Sequence, residues 1–212
     1  MTRALLTGFE PFGTDAVNPS GLAVRRVAAR WRGPGELITA VLPVTFADAP
    51  AALRSLLEEH QPDLVIATGL AGDRSAVTPE RVAVNLVDAR IPDNADRRPI
   101  DEPVLRGGPA AYFSTLPVKA IARDIRTAGI PAELSHSAGS FVCNQVFYAA
   151  MAATAATPEV RAGFVHVPWS SEHAPGGAPS LPLDAIVMAI EIALLTSIRS
   201  THHARIAGGT IS

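Results

Sequence analysis

Cys143 is the only cysteine of a 212-residue chain. It follows the small residues Ser137, Ala138, Gly139 and Ser140, then Phe141 and Val142. That run reads as the end of a strand, a turn and the first turn of a helix. At a helix start the backbone N–H groups are unpaired and the dipole is positive, so an anion is favoured and a thiol is expected to ionise more readily. The same N–H groups can receive the oxyanion of a tetrahedral intermediate. Cys143 is therefore a candidate nucleophile. The competing reading is a buried structural cysteine, because free cysteine is among the most buried residue types.

A thiol nucleophile needs a base, and the chain offers six histidines. His60 belongs to the polar end of a helix, His173 to a Gly/Pro-rich loop, and His202 and His203 to the C-terminal segment. His166 is the lone polar residue in Phe164, Val165, His166, Val167, Pro168, near the end of an apolar strand. An imidazole there is either a satisfied core residue or a positioned base. His136, close to Cys143 in sequence, is the rival. Glu80 opens an alternating segment and is a candidate to orient the histidine; its plainer reading is a surface acid beside Arg81. Members of such a triad meet only in the fold, so spacing leaves both choices open.

Two phenylalanines, Phe9 and Phe12, sit between Gly8 and Gly13 in a turn after the first strand. Loops lie on the surface, so aromatic side chains here are candidates to wall a small apolar pocket, with Phe141 as a third wall. Ordinary loop packing is the alternative. No phosphate-binding glycine signature and no G-x-S-x-G nucleophile elbow is present.

The elements that must position these residues alternate. Strands are expected over 3–7, 36–42, 64–68, 80–87, 132–135 and 163–167. Helices are expected over 19–31, with Asn18 as N-cap and Pro19 at the first helical position, and over 47–58, 118–128, 142–155 and 183–200. Such alternation implies an α/β fold with a mostly parallel sheet covered by helices on both faces. Residues 88–117, rich in Pro, Gly and Asp, are expected as a long functional loop. One domain is expected over 1–200, with 201–212 as a flexible tail.

Bulk properties exclude several classes. Hydrophobic residues make up 48% and charged residues 18%, which suits a packed core rather than disorder. A formal net charge of -2 gives no field for nucleic acid or an anionic membrane. No apolar stretch is long enough for a membrane span or a signal-peptide core. A single cysteine excludes an internal disulfide and a cysteine-rich zinc site, so the cytoplasm is the expected compartment.

Five blocks, in order along the chain, resemble the pyroglutamyl peptidase I (pyrrolidone-carboxylate peptidase) family of cysteine peptidases. They are Thr7 to Gly13 with Asn18, Pro19 and Ser20; Thr78 to Ala83 with Asp88 to Asn94; Gly107 to Pro117; Ala138 to Asn144; and Phe164 to Pro168. The resemblance implies Cys143 as nucleophile, His166 as general base and acid, and Glu80 as orienter. It implies a pocket shaped by Phe9, Phe12, Asn18, Phe141 and Val142, with Arg90 near the oxyanion. It implies a three-layer α/β/α sandwich, no cofactor or metal, and assembly as a homotetramer. The expected reaction is removal of N-terminal pyroglutamate from peptides. Asp73 stands where the family usually carries a glycine, Leu70 where many members carry glutamine, and residues 169–182 match poorly; His136 falls at a variable position. Two other readings are a non-catalytic binder of pyroglutamyl peptides and a nucleoside phosphorylase-like enzyme on a similar scaffold.

Overall fold

The computed structural model describes residues 2–200 and Ala207; the expected tail over 201–212 otherwise lies outside the described residues. Strands β1 (Arg3–Phe9), β2 (Glu36–Leu42) and β3 (Leu64–Leu70) form a parallel sheet with β7 (Arg161–Val167). The short strand β4 (Thr78–Pro79) adds to β7 in the antiparallel sense, giving the order β2-β1-β3-β7-β4. A ribbon of β5 (Val82–Val84) and β6 (Ala111–Phe113) and a small pair, β8 (Trp169–Ser170) with β9 (Ser180–Leu181), lie outside this sheet.

The strands of the sheet are apolar on both sides, as a parallel sheet between helices requires. Successive side chains alternate between the two faces. Ala4, Leu6, Leu64, Ile66, Val165 and Val167 belong to one buried cluster, shared with helices α1 (Pro19–Arg30), α3 (Val118–Thr127) and α5 (Leu183–Arg199). Leu5, Val65, Ala67, Ala162 and Phe164 belong to the other, shared with α2 (Asp48–His60) and α4 (Val142–Thr154). The result is the expected three-layer α/β/α arrangement. The period of two also decides the site: residues 162, 164 and 166 of β7 and 65, 67 and 69 of β3 share a face, so His166 and Gly69 fall on the side of α4.

Two expected elements differ. The alternation of Val82, Val84 and Leu86 is read correctly as extended chain, but residues 80–87 are not one strand. After β4 the Glu80 N–H still donates to the Phe164 carbonyl of β7 at 2.9 Å, but the backbone then leaves the sheet: the Arg81 N–H donates to the Ser135 carbonyl at 2.8 Å, before β5 pairs with β6. Residues 132–135 likewise form no regular strand; they make single bridges, Ala132 with Val77 and Ser135 with Glu80. Pro131 and Pro79 each lack an N–H, which limits the ladder available on either side. The expected long loop over 88–117 contains β6. Asp73 has no positive φ, so the glycine it replaces is not required by the backbone.

Candidate active site

The turn before Cys143 is built as the small residues suggest. Gly139 takes a φ of +78°, a conformation that suits glycine, and α4 begins at Val142. Phe141 is the N-cap and supplies no side-chain hydrogen bond, whereas Asn18 caps α1 by accepting from the Ser20 N–H at 3.1 Å. The first helical hydrogen bond runs from the Gln145 N–H to the Phe141 carbonyl. The start of α4, with Cys143 in its first turn, is therefore open for a ligand to complete.

Cys143 is half-buried, and its Sγ lies over Gly69: a Cβ built on Gly69 would sit 2.7 Å from that sulfur and 2.9 Å from the Phe164 ring. Gly69 is the register partner of His166 across β3 and β7. The thiol, from α4, and the imidazole thus approach the same face of the sheet over neighbouring strands. His166 is 4% exposed and Glu80 fully buried, and His166 Nδ1 lies 2.7 Å from Glu80 Oε1. The Phe164 ring packs against the imidazole with centroids 4.7 Å apart.

The pull of the helix start on the Cys143 thiol meets opposing influences in the fold. Burial, and then the nearby Glu80 carboxylate, push the Cys143 thiol up to about 12, outweighing the pull of Arg74 and of the Cys143 backbone N–H. Burial also acts to raise the Glu80 carboxyl, but the hydrogen bond and charge of His166, with smaller help from Ser135 and Arg74, bring it below its ordinary value.

Beside the thiol is an apolar pocket of about 130 Å³. It is lined by Phe9, Phe12, Asn18, Phe141 and Val142, with Cys143 itself, and also by Asp15, Val44, Leu70 and Ile91. Phe141 stacks edge-on between Phe12 and Phe46, at 5.5 and 4.9 Å between centroids. Asn18 keeps its capping role: its Oδ1 accepts from Ser20 and its Nδ2 donates to the Glu10 carbonyl at 3.0 Å, fixing the turn that carries Phe12; Phe9, expected in that turn, is the buried last residue of β1. Arg90 is exposed and lies outside the lining, between buried Ala89 and the lining residue Ile91. His136 is exposed, and His173 bonds to Ser170 Oγ at 2.9 Å, away from the pocket lining.

Three residues without an assigned role from sequence prove central to the geometry. Asn144, fully buried, accepts from the Val84 N–H and donates to the Val84 and Leu86 carbonyls, which ties α4 to the chain just after Glu80. Asp93 accepts from the Phe46, Ala95 and Arg97 N–H groups. Arg74 donates to Thr78 Oγ1, Glu80 Oε1 and the Ser137 carbonyl. Asn144 and Asp93 lie inside the quoted blocks, where an Asn or Asp among apolar residues is the available signal; Arg74 had none beyond its nearness to Glu80.

The pyroglutamyl peptidase family model matches residues 2–200. The pyrrolidone-carboxylate peptidase of Clavibacter michiganensis is 47% identical over 212 residues, covering 100% of both chains. That of Vibrio vulnificus is 46% identical, again over 100% of both. The crystal structure of Bacillus amyloliquefaciens pyroglutamyl peptidase I superposes with a TM-score of 0.91 at 44% identity, covering 96% of this chain and 100% of that one. The pyrrolidone carboxyl peptidase of Thermococcus litoralis gives 0.89 at 40% identity, covering 93% and 94%.

Proposed function

The chain belongs to the pyroglutamyl peptidase family, and on that premise we propose that it is a cysteine exopeptidase that removes N-terminal pyroglutamate from peptides, with Cys143, His166 and Glu80 as its triad. The observation that carries the reading is the buried 2.7 Å contact of His166 Nδ1 with Glu80 Oε1 on the strand face beneath Cys143, next to a small apolar pocket.

In this reading Nδ1–H donates to the Glu80 carboxylate, which leaves Nε2 to face the thiol. The thiol proton passes to Nε2 as Sγ bonds to the pyroglutamyl carbonyl carbon. The uncapped start of α4 receives the oxyanion, with Arg90 closing over it from the adjoining loop. Nε2 then returns the proton to the leaving amine as the C–N bond breaks. Water, losing a proton to Nε2, hydrolyses the thioester, and the thiol is restored.

The pocket suits the substrate. Pyroglutamate is a flat neutral lactam, and a slot of about 130 Å³ is well below the roughly 300–1,000 Å³ of sites for drug-sized ligands. Among its lining residues the charged one is Asp15, which disfavours a phosphate-dependent phosphorylase. Among the described residues no helix is long and apolar enough to cross a membrane. The reading places the enzyme in the cytoplasm as one catalytic unit over residues 1–200. Exposed Ile100, Leu105 and Phe113 support assembly with further copies of the chain, a homotetramer by resemblance.

The test is fluorophore release from a pyroglutamyl amide in reductant, beside a prolyl amide and the Cys143→Ala variant. Wild type is expected to cleave the pyroglutamyl amide alone, and Cys143→Ala neither. Tight binding without amine release would point to a binder instead, and no turnover by folded wild type would refute the peptidase reading.

A further inference from the structure

Glu80 Oε1 serves two donors at once. His166 Nδ1 approaches it at 2.7 Å, and Arg74 Nη1 at 2.5 Å. The same Arg74 nitrogen donates to Thr78 Oγ1, and Thr78 is the register partner of His166 across β4 and β7. Arg74 Nη2 reaches the Ser137 carbonyl at 3.1 Å, in the turn that leads into Cys143. One guanidinium thus touches the acid, the strand opposite the base and the turn before the nucleophile.

We propose that Arg74 is a positioning residue of the peptidase, a fourth member behind the triad that holds Glu80 toward His166 and fixes the nucleophile turn to both. The proposal rests on the peptidase reading above. Its physical basis is the planar fork of arginine, which binds several acceptors in set directions where a lysine ammonium offers a single point charge. A buried carboxylate is costly unless paired, and Glu80 Oε2 has no hydrogen-bond partner, so Oε1 carries the pairing for the whole group. Arg74, with its side chain 27% exposed, brings the balancing cation from the solvent side.

The groups facing the Glu80–His166 pair are Arg74 from the loop after β3, Cys143 from α4 and the Ser135 hydroxyl from the segment beside Glu80. Arg74 is the permanent cation among them. Removing it leaves more negative charge at the pair, which favours the protonated pair and opposes thiolate formation. Both effects move the acid limb of activity to higher pH.

The experiment measures kcat and KM on a pyroglutamyl amide across pH for wild type, Arg74→Gln and Arg74→Lys, with thermal unfolding of each. Arg74→Gln is expected to lose about 30-fold in kcat with KM within about threefold, and to move the acid limb up by roughly half to one pH unit. Arg74→Lys is expected to hold the limb at the wild-type pH and recover part of kcat. A folded Arg74→Gln with an unshifted limb, or a loss confined to KM, overturns the proposal. If Arg74→Gln does not fold, Arg74→Lys decides: an unshifted limb with kcat lowered about tenfold supports the proposal, and a shifted limb or full kcat refutes it. If wild type cleaves no pyroglutamyl amide, the peptidase reading fails by itself. Alkylation of Cys143 by iodoacetamide across pH then tests Arg74 without turnover: its acid limb is expected to rise in Arg74→Gln, and an unshifted limb overturns the proposal.

Discussion

At the scale of single residues, the site depends on an atom that is missing. Gly69 leaves the space that Cys143 Sγ and the Phe164 ring occupy. A methyl group there meets the sulfur at 2.7 Å and the ring at 2.9 Å, both closer than side-chain carbons tolerate. Gly69→Ala is expected to displace the thiol from His166. Overpacking of this kind costs about 1–3 kcal/mol of stability. The decisive measurement is kcat: a drop of more than about tenfold with a folded protein is expected, since roughly 1 Å of misplacement can cost on the order of a hundredfold in rate. Wild-type kcat would show that Sγ does not need this position. Cys143 was legible in the sequence as a lone thiol at a helix start, but its ionisation was not. The helix start favours a thiolate, whereas burial and Glu80 push the thiol the other way, and neither can be read before the fold brings Glu80 near.

At the scale of elements, α4 is anchored through one amide. Asn144 stands beside Cys143 and fills the unpaired backbone groups of residues 84 and 86. Asn144→Ala would remove three buried hydrogen bonds and leave their partners unsatisfied, for an expected loss of about 2–4 kcal/mol. Denaturant unfolding checks this, and a loss under about 1 kcal/mol would mean that water or a neighbour replaces the amide. The helices were legible because their apolar faces and caps are local: Asn18 with Pro19 marks the start of α1, and Gly129, at a φ of +79°, lies just beyond the end of α3. The segments around Glu80 and Ser135 were misread as regular strands because their pairing is decided far away, by the Phe164 carbonyl and by β6, and a period of two carries no partner information.

For the molecule as a whole, the pocket is a junction of loops from the carboxyl ends of β1, β2 and β3, where open α/β sheets build their sites. Two residues of the long loop after β5 lock that junction. Asn94 accepts from the Gly13 N–H and donates to the Pro11 carbonyl, and Asp93 accepts from the Phe46 N–H. Asp93→Ala lies outside the proposed triad and should loosen the walls without moving the thiol. KM is expected to rise about fivefold to tenfold with kcat within about twofold, read from steady-state kinetics on the pyroglutamyl amide. A matching fall in kcat would mean that the loop also sets the reacting geometry. The five ordered blocks carried both the family and the pocket phenylalanines. Arg74 fell outside what local pattern could convey, because its three acceptors are spread from residue 78 to residue 137.

The strand order holds one more consequence. β7, which carries His166, is the last strand of the central sheet in sequence, yet it lies between β3 and β4. On a ribosome Cys143 therefore emerges ahead of His166, the base of the proposed triad. Until β7 slides between two earlier segments, Glu80 has no imidazole and Cys143 no proton acceptor. With the proposed triad, a chain that ends before β7 holds a thiol and a carboxylate with no base between them, so hydrolysis waits for that strand.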